Sequence, residues 1–207
     1  PFDERAVEAA LRVKDARGGK VTVLSLGTNL LRDVVKKPLS MGADELVLLE
    51  DAAFAEGDSY SIAYALSMGI KRIGQFDLIF CGRQAADWDS GQTGSVIAEL
   101  LGLPSVTLAR KVDITDNKAR VERVTADGYE VIEVSLPALI TVSSEIGAPR
   151  YPTIRGIMAA RSKEPVTWKP ADIGADPARL GRRTKLDKLF QPVKEGEVKI
   201  IAGETLE

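Results

Sequence analysis

The feature that most constrains the fold is an alternation of short apolar runs with longer amphipathic stretches. Three runs, at residues 20–26, 45–49 and 77–81, are almost continuously apolar, and a glycine or an aspartate closes each of them. Such runs are typical of parallel strands that are buried on both faces. The stretches between them are long enough for crossover helices. The pattern therefore predicts an α/β fold with a parallel sheet covered by helices.

The helices expected between these strands lie at residues 29–41, 59–73 and 91–101, where apolar residues follow helical spacing. Another helix begins at Phe2-Asp3, with Asp3 as the expected N-cap. A helix of a βαβ unit follows a strand, and no strand precedes this one. We therefore expect the first strand and its loop to be missing from the sequence.

The pattern changes after about residue 108. Residues 111–125 and 129–142 predict the strands of a β-meander, with turns at Asp116-Asn117 and Asp127-Gly128. Pro137 is expected to prevent a regular central strand, because proline cannot donate to a sheet ladder. From Pro165 the chain is rich in proline, glycine and charge. We predict a nucleotide-binding domain at 1–164 and an extended arm without its own core at 165–207.

Composition excludes several kinds of site. The 207 residues include no histidine and one cysteine, Cys81, so a Ser-His-Asp triad, a histidine zinc site and an internal disulfide are impossible within the chain. We predict neither catalytic nor metal-binding residues. The net charge of −2 argues against nucleic-acid binding, and no apolar run reaches membrane-spanning length. A single cysteine indicates a reducing compartment.

The stretch most suited to ligand binding is 86–94, ADWDSGQTG, which leads directly into a helix. Free N–H groups at a helix start attract phosphate, and Ser90 and Thr93 offer hydroxyl donors. The stretch lacks the Gly-Lys-Ser/Thr ending of a Walker A loop. Two simpler interpretations stay open: Asp89 or Ser90 caps the helix, and Asp87 with Asp89 are solvated acids rather than Mg²⁺ ligands.

A second stretch, residues 148–156 (APRYPTIRG), has the composition of a docking loop. Its two prolines limit the entropy lost on binding, and Ile154 offers an apolar tip between arginines. The alternative is an ordinary connecting loop that closes the core. A short helix is expected to follow at residues 157–160.

The sequences LPALITV at 136–142 and APRYPTIRGIMAA at 148–160 resemble the signature of the electron transfer flavoprotein β subunit, and the likeness extends over essentially the whole chain. The resemblance implies an adenine nucleotide α-hydrolase-like domain that pairs with an α subunit to share one FAD. It implies transfer of electrons from acyl-CoA or other dehydrogenases to a quinone oxidoreductase. It also implies a location in the cytoplasm of a bacterium or archaeon, or in the mitochondrial matrix of a eukaryote.

The resemblance also implies site residues. A bound AMP would be lined by Gly27, Cys81, Asp87, Ser90, Gly91, Gln92, Thr93 and Gly94. Phe2 would approach the flavin. The dehydrogenase would dock on Tyr151, Pro152, Thr153, Ile154, Arg155 and Gly156. The C-terminal arm would pack on the α subunit.

Two alternatives remain at this point. The tail, with Trp168, Asp176-Pro177 and Thr184, resembles the nitrogen-fixation-linked and electron-bifurcating branch of the family, in which a second FAD replaces AMP. The other alternative is a stand-alone nucleotide-binding module, which the absence of a Walker A loop disfavours.

Overall fold

The computed structural model describes residues 2–85, 87–191 and 196. Its α-helices are α1 Phe2–Arg17, α2 Arg32–Val35, α3 Lys37–Met41, α4 Ser59–Ile73, α5 Thr93–Leu101 and α6 Ile154–Ser162. Its strands are β1 Thr22–Gly27, β2 Glu45–Glu50, β3 Leu78–Gly82, β4 Ser105–Thr115, β5 Lys118–Thr125, β6 Gly128–Ser135, β7 Ala138–Val142 and β8 Val166–Trp168. Among these residues, no helix is both long enough and apolar enough to cross a bilayer.

The strands form two hydrogen-bonded groups. One has the order β1-β2-β8 and is parallel throughout. The other has the order β3-β7-β4-β5-β6, in which β3, β7 and β4 are parallel and β4, β5 and β6 form an antiparallel meander. The predicted α/β class is confirmed, and the sheet arrangement is mixed rather than only parallel.

The prediction for residues 129–142 is wrong in its second half. Instead of one meander strand there are two, because β6 ends at Ser135 and β7 begins at Ala138. β7 lies between β3 and β4 and is parallel to both, so it is a central strand. Pro137 tolerates this position because it immediately precedes the strand, where no ladder hydrogen bond is required from its nitrogen.

β7 carries the core on both of its faces. Ala138, Ile140 and Val142 pack with Ala6 and Ala9 of α1. Leu139 points to the other side and packs against α4 and α5. Because successive strand residues face opposite ways, one buried strand holds helices on both faces of the sheet.

The predicted arm differs from the structure in its first part. β8 pairs with β2, and Ile173, Ala175 and Leu180 are buried against the core around Leu49. The domain therefore extends past residue 165 to about Leu180, because these apolar side chains complete its core. Residues 192–195 and 197–207 of the predicted arm lie outside the described part of the chain.

Helix α6 is longer than the helix predicted at 157–160, and it packs against α3 through small residues. Ala160 is buried, and a Cβ added at Gly156 would overlap the main-chain carbonyl oxygen of Ser40. A backbone atom cannot move aside as a flexible side chain can. Glycine at 156 therefore lets α6 approach α3 closely.

Replacing Gly156 by alanine should lower the free energy of unfolding by about 1–3 kcal/mol, the usual cost of overpacking. Chemical denaturation measures the change. Gly181→Ala is the matched control, because an added Cβ at Gly181 meets nothing within 4 Å. Equal stability of the two variants would contradict the close approach of α6 to α3 at Gly156.

Candidate functional site

The stretch after β3 forms an ordered loop that leads into α5. The Asp89 amide donates to the Ala85 carbonyl at 3.0 Å, and Gln84 Nε2 donates to Asp89 Oδ1 at 2.7 Å. Ser59, at the start of α4, donates its hydroxyl to Ser90 at 3.3 Å. The loop is thus held from within and by α4, and its glycine-rich end lies at the start of α5.

The first turn of α5 has free donors. Gln92 is the N-cap and makes no side-chain capping hydrogen bond. Among the described residues, no acceptor is found for the backbone N–H groups of Thr93, Gly94 or Ser95. The interpretation that Asp89 or Ser90 caps this helix is wrong, because the N-cap position is occupied by Gln92. Asp89 instead accepts a hydrogen bond from Gln84, and Ser90 accepts one from Ser59. Uncapped amides at the positive end of a nine-residue helix suit an anionic group.

Gly94 places α5 directly against the central strand. A Cβ at this position would lie 2.5 Å from Cγ2 of Thr141 and 3.5 Å from Cδ2 of Leu139. Thr141 is held in turn, because its hydroxyl accepts a hydrogen bond from the Leu108 amide at 3.1 Å. Only glycine lets the first turn of α5 lie this close to β7, which fixes where its free amides stand.

The first turn of α1 reaches the same edge of the sheet. The prediction that Asp3 is the N-cap is wrong, because α1 begins at Phe2 and Asp3 lies inside the helix. Its Oδ1 accepts a hydrogen bond from the Gly82 amide of β3 at 3.0 Å. The Arg83 guanidinium lies 5.6 Å from the centre of the Phe2 ring, within cation–π range. Phe2 and Arg83 therefore stand beside the end of β3, together with the loop.

Two other residues predicted to bind the nucleotide, Cys81 and Gly27, lie in different groups of strands. Cys81 lies near Gly94, and burial, with a smaller contribution from Asp3, raises the pKa of its thiol to about 12. Its thiol is therefore neutral at physiological pH, unlike the thiolate of a nucleophilic cysteine. Gly27 lies at the end of β1 in the other group of strands, next to Leu30, and no described hydrogen bond joins it to the loop.

The paired acids of the loop are used locally. Asp87 Oδ1 accepts from the Trp88 amide at 2.9 Å, and Asp89 accepts from Gln84. Within residues 2–85, 87–191 and 196, no group of three or more potential ligands could hold a metal ion. Asp87 and Asp89 thus each accept a hydrogen bond from a nearby residue.

The predicted docking stretch is only partly a loop. Ile154, Arg155 and Gly156 form the first turn of α6, with Thr153 as the N-cap, whose hydroxyl accepts from the Gly156 amide at 3.0 Å. Tyr151 is 94% exposed and Ile154 is 80% exposed. Gly156, in contrast, is turned toward α3 and serves packing.

Sequence reasoning missed two members of this exposed surface, Ile157 and Met158. They follow Ile154 at positions i+3 and i+4, so they lie on the same face of α6. The helical spacing was visible in the sequence, but a helix predicted to begin at Ile157 separated Ile154 from them. We call Tyr151, Ile154, Ile157 and Met158 the α6 apolar face.

Gly94→Ala should destabilise the protein by about 1–3 kcal/mol, because its new methyl group would overlap that of Thr141. Adding Thr141→Ser removes the opposing methyl group and keeps the hydroxyl that Leu108 uses. The double variant should therefore recover most of the lost stability in chemical denaturation. Strictly additive losses would contradict the close approach of α5 to β7.

Comparison with known proteins agrees with this architecture. The family model described as the electron transfer flavoprotein domain matches residues 1–173. The chain is 44% identical to the electron transfer flavoprotein subunit beta of Thermoanaerobacterium thermosaccharolyticum, over 98% of this chain and 79% of that protein.

Two further relatives have other names. Subunit CarD of the caffeyl-CoA reductase-Etf complex of Acetobacterium woodii is 40% identical, over 100% of this chain and 80% of that protein. Protein FixA of Azorhizobium caulinodans is 36% identical, over 95% of this chain and 74% of that protein. The matched residues include β3, the loop, α5, β7 and α6, so the chain belongs to the electron transfer flavoprotein family and is related to its β subunits.

Proposed function

We propose that this chain binds an adenine nucleotide and, with an α subunit, holds one FAD between electron-donating and electron-accepting partners. Family membership gives the general role, that of a flavoprotein subunit in electron transport. The observation that supports the nucleotide site is the set of amides at the start of α5 that have no acceptor among the described residues. The bound FAD would supply the redox chemistry, while the residues of this chain would bind, orient and shield.

The proposed nucleotide is AMP, with its phosphate at the start of α5. The amides of Thr93 and Gly94 would donate to the phosphate, and the hydroxyls of Ser90 and Thr93 would be further donors. Gly91, Gln92 and the partly buried Cys81 would form the adjacent wall. A second FAD is the alternative, since its adenosine half offers the same phosphate chemistry.

The proposed flavin-facing edge is the beginning of α1. Phe2 is partly exposed beside Arg83 at the end of β3, and Asp3 fixes this turn through the Gly82 amide. An aromatic ring held in place at the sheet edge is suited to contact a planar cofactor. The α subunit would supply the remaining contacts of the shared FAD.

The proposed docking surface for acyl-CoA or other dehydrogenases is the α6 apolar face. Helix α6 packs on α3, and Ile154 and Tyr151 are the most exposed apolar side chains of this face. Exposed apolar clusters on rigid elements are characteristic of protein interfaces. A quinone oxidoreductase would be the acceptor.

The C-terminal arm would pack on the α subunit. Asp58 fixes the start of the arm, because its Oδ2 accepts from the amides of Arg183 and Thr184 at 2.7 and 3.0 Å. Beyond this anchor, Leu189 and Phe190 are 76% and 71% exposed. Apolar side chains presented on an extended segment are suited to bind a partner chain.

The first experiment counts the bound cofactors. The full chain co-expressed with its α subunit should yield a yellow heterodimer that releases one FAD and one AMP on denaturation, as measured by chromatography. Release of two FAD and no AMP would show that a second FAD, not AMP, occupies the nucleotide site. A colourless chain that does not bind the α subunit would contradict the proposal and favour the stand-alone module.

Removing the hydroxyl at the start of α5 tests the phosphate site. Thr93→Ala should weaken nucleotide retention by about tenfold, the effect of losing one hydrogen bond to a charged group. Nucleotide content after dialysis measures this. Thr115→Ala, at the exposed end of β4, is the control and should retain nucleotide fully. Equal retention in both variants would place the phosphate elsewhere.

Truncating the central apolar side chain tests the docking surface. Ile154→Ala should weaken association with the dehydrogenase by about 1–3 kcal/mol, because an exposed anchor loses its buried contacts in the complex. Surface plasmon resonance or the dependence of electron transfer on heterodimer concentration measures it. Leu31→Ala, which is 72% exposed outside this face, is the control. Unchanged association of Ile154→Ala would remove Ile154 from this role.

A further inference from the structure

A buried carboxylate lies in the middle of α1. Glu8 is only 5% exposed and accepts hydrogen bonds from the Arg150 amide at 3.0 Å and from Arg150 Nε at 2.8 Å. Arg12 Nε donates to the same carboxylate at 2.9 Å. Carboxylates are rarely buried unless they are paired. Glu8 therefore fixes both the main chain and the side chain of Arg150.

The neighbouring arginines of α1 hold the preceding segment by its carbonyl groups. Arg5 Nη1 donates to the Ser144 carbonyl at 3.0 Å. Arg12 Nη1 donates to the Ile146 carbonyl at 2.7 Å, and Arg12 Nη2 donates to the Ala148 carbonyl at 3.3 Å. α1 thus binds the chain from residue 144 to residue 150.

These contacts end where the α6 apolar face begins. Arg150 directly precedes Tyr151, and Ile154, three residues after Tyr151, begins α6. The first turn of the same helix carries Asp3, which accepts a hydrogen bond from the Gly82 amide at the candidate nucleotide edge. Asp3 and Glu8 are about 7.5 Å apart along the axis, at 1.5 Å per residue. One helix therefore connects the nucleotide edge with the base of the docking segment.

The Glu8–Arg150 ion pair stays charged at neutral pH. Burial raises the pKa of Glu8, but hydrogen bonds from Arg150 and Arg12 outweigh this effect and leave its pKa below the ordinary value. The hydrogen bonds that Arg150 donates to Glu8 and Asp15 raise the pKa of Arg150. Glu8 is therefore an anion and Arg150 a cation at neutral pH.

We propose that Glu8 is a positioning residue for partner docking: by fixing Arg150, it sets where the α6 apolar face stands relative to the cofactor edge. This inference rests on the proposed docking function. The pair touches neither the nucleotide loop nor the α6 apolar face itself. Weakening it should loosen docking and leave cofactor binding intact, whereas a merely stabilising pair would alter neither at a temperature well below unfolding.

The test uses the full heterodimer with Glu8→Gln, which keeps the shape of the side chain and removes its charge. The apparent KM of the dehydrogenase for the heterodimer should rise about tenfold, with kcat at saturation and the FAD and nucleotide contents unchanged. Glu45→Gln is the control, because Glu45 forms an exposed ion pair with Lys20 at 2.6 Å. This control should leave KM unchanged.

A double-mutant cycle separates this role from general effects. Arg150→Gln should raise KM to a similar extent, and the double variant Glu8→Gln/Arg150→Gln should be no worse than either single variant. If Glu8→Gln does not fold, Arg150→Lys serves instead, since it keeps the charge and loses the forked donors. It should give a smaller rise in KM.

The outcomes distinguish this inference from the proposal on which it rests. A wild-type heterodimer that accepts no electrons from any acyl-CoA dehydrogenase refutes the docking function. An active wild type with an unchanged KM in folded Glu8→Gln overturns only the positioning role. Loss of FAD in parallel with the rise in KM also overturns it, because the effect would then act through cofactor binding.

Discussion

The hydrogen-bonded ion pair between Glu8 and Arg150 joins parts of the chain that are 142 residues apart in sequence. It is the best-satisfied charged contact on α1, and the helix around it also packs on β3 and β7. The positions of the sheet edge, the 144–150 segment and α6 therefore depend on one helix. Glu8 is buried and Arg150 is partly exposed, so removing Arg150 would leave a buried carboxylate without its main partner.

The central strand β7 has a corresponding role for the candidate site. Ile140 and Val142 hold α1 on one face, while Leu139 and Thr141 receive α5 on the other. The free amides at the start of α5 and the first turn of α1 consequently lie on opposite sides of the same strands. The chain has no histidine, and burial raises the pKa of its one thiol, that of Cys81, to about 12.

Local sequence patterns predicted the elements whose character is determined by their own residues. The strands β1, β2 and β3 and the start of α5 follow from apolar runs and loop chemistry. Sequence reasoning failed where tertiary contacts decide: β7 became central because β3 and β4 pair with it, and Ile154 joined a helix because Gly156 fits on α3. The Glu8–Arg150 pair was invisible for the same reason, since nothing local links residues so distant in sequence.

Hydrogen exchange of the flavin-bound heterodimer tests the central claim most directly, namely that the chain carries two separate binding surfaces, one at the start of α5 and one at the α6 apolar face. Nucleotide should slow exchange of the backbone amides at 93–95, and a bound dehydrogenase should slow exchange at 151–158. Protection of α1 should change with neither ligand, because it is rigid in both states. Protection of both segments by the same ligand, or of neither segment by either ligand, would contradict the account.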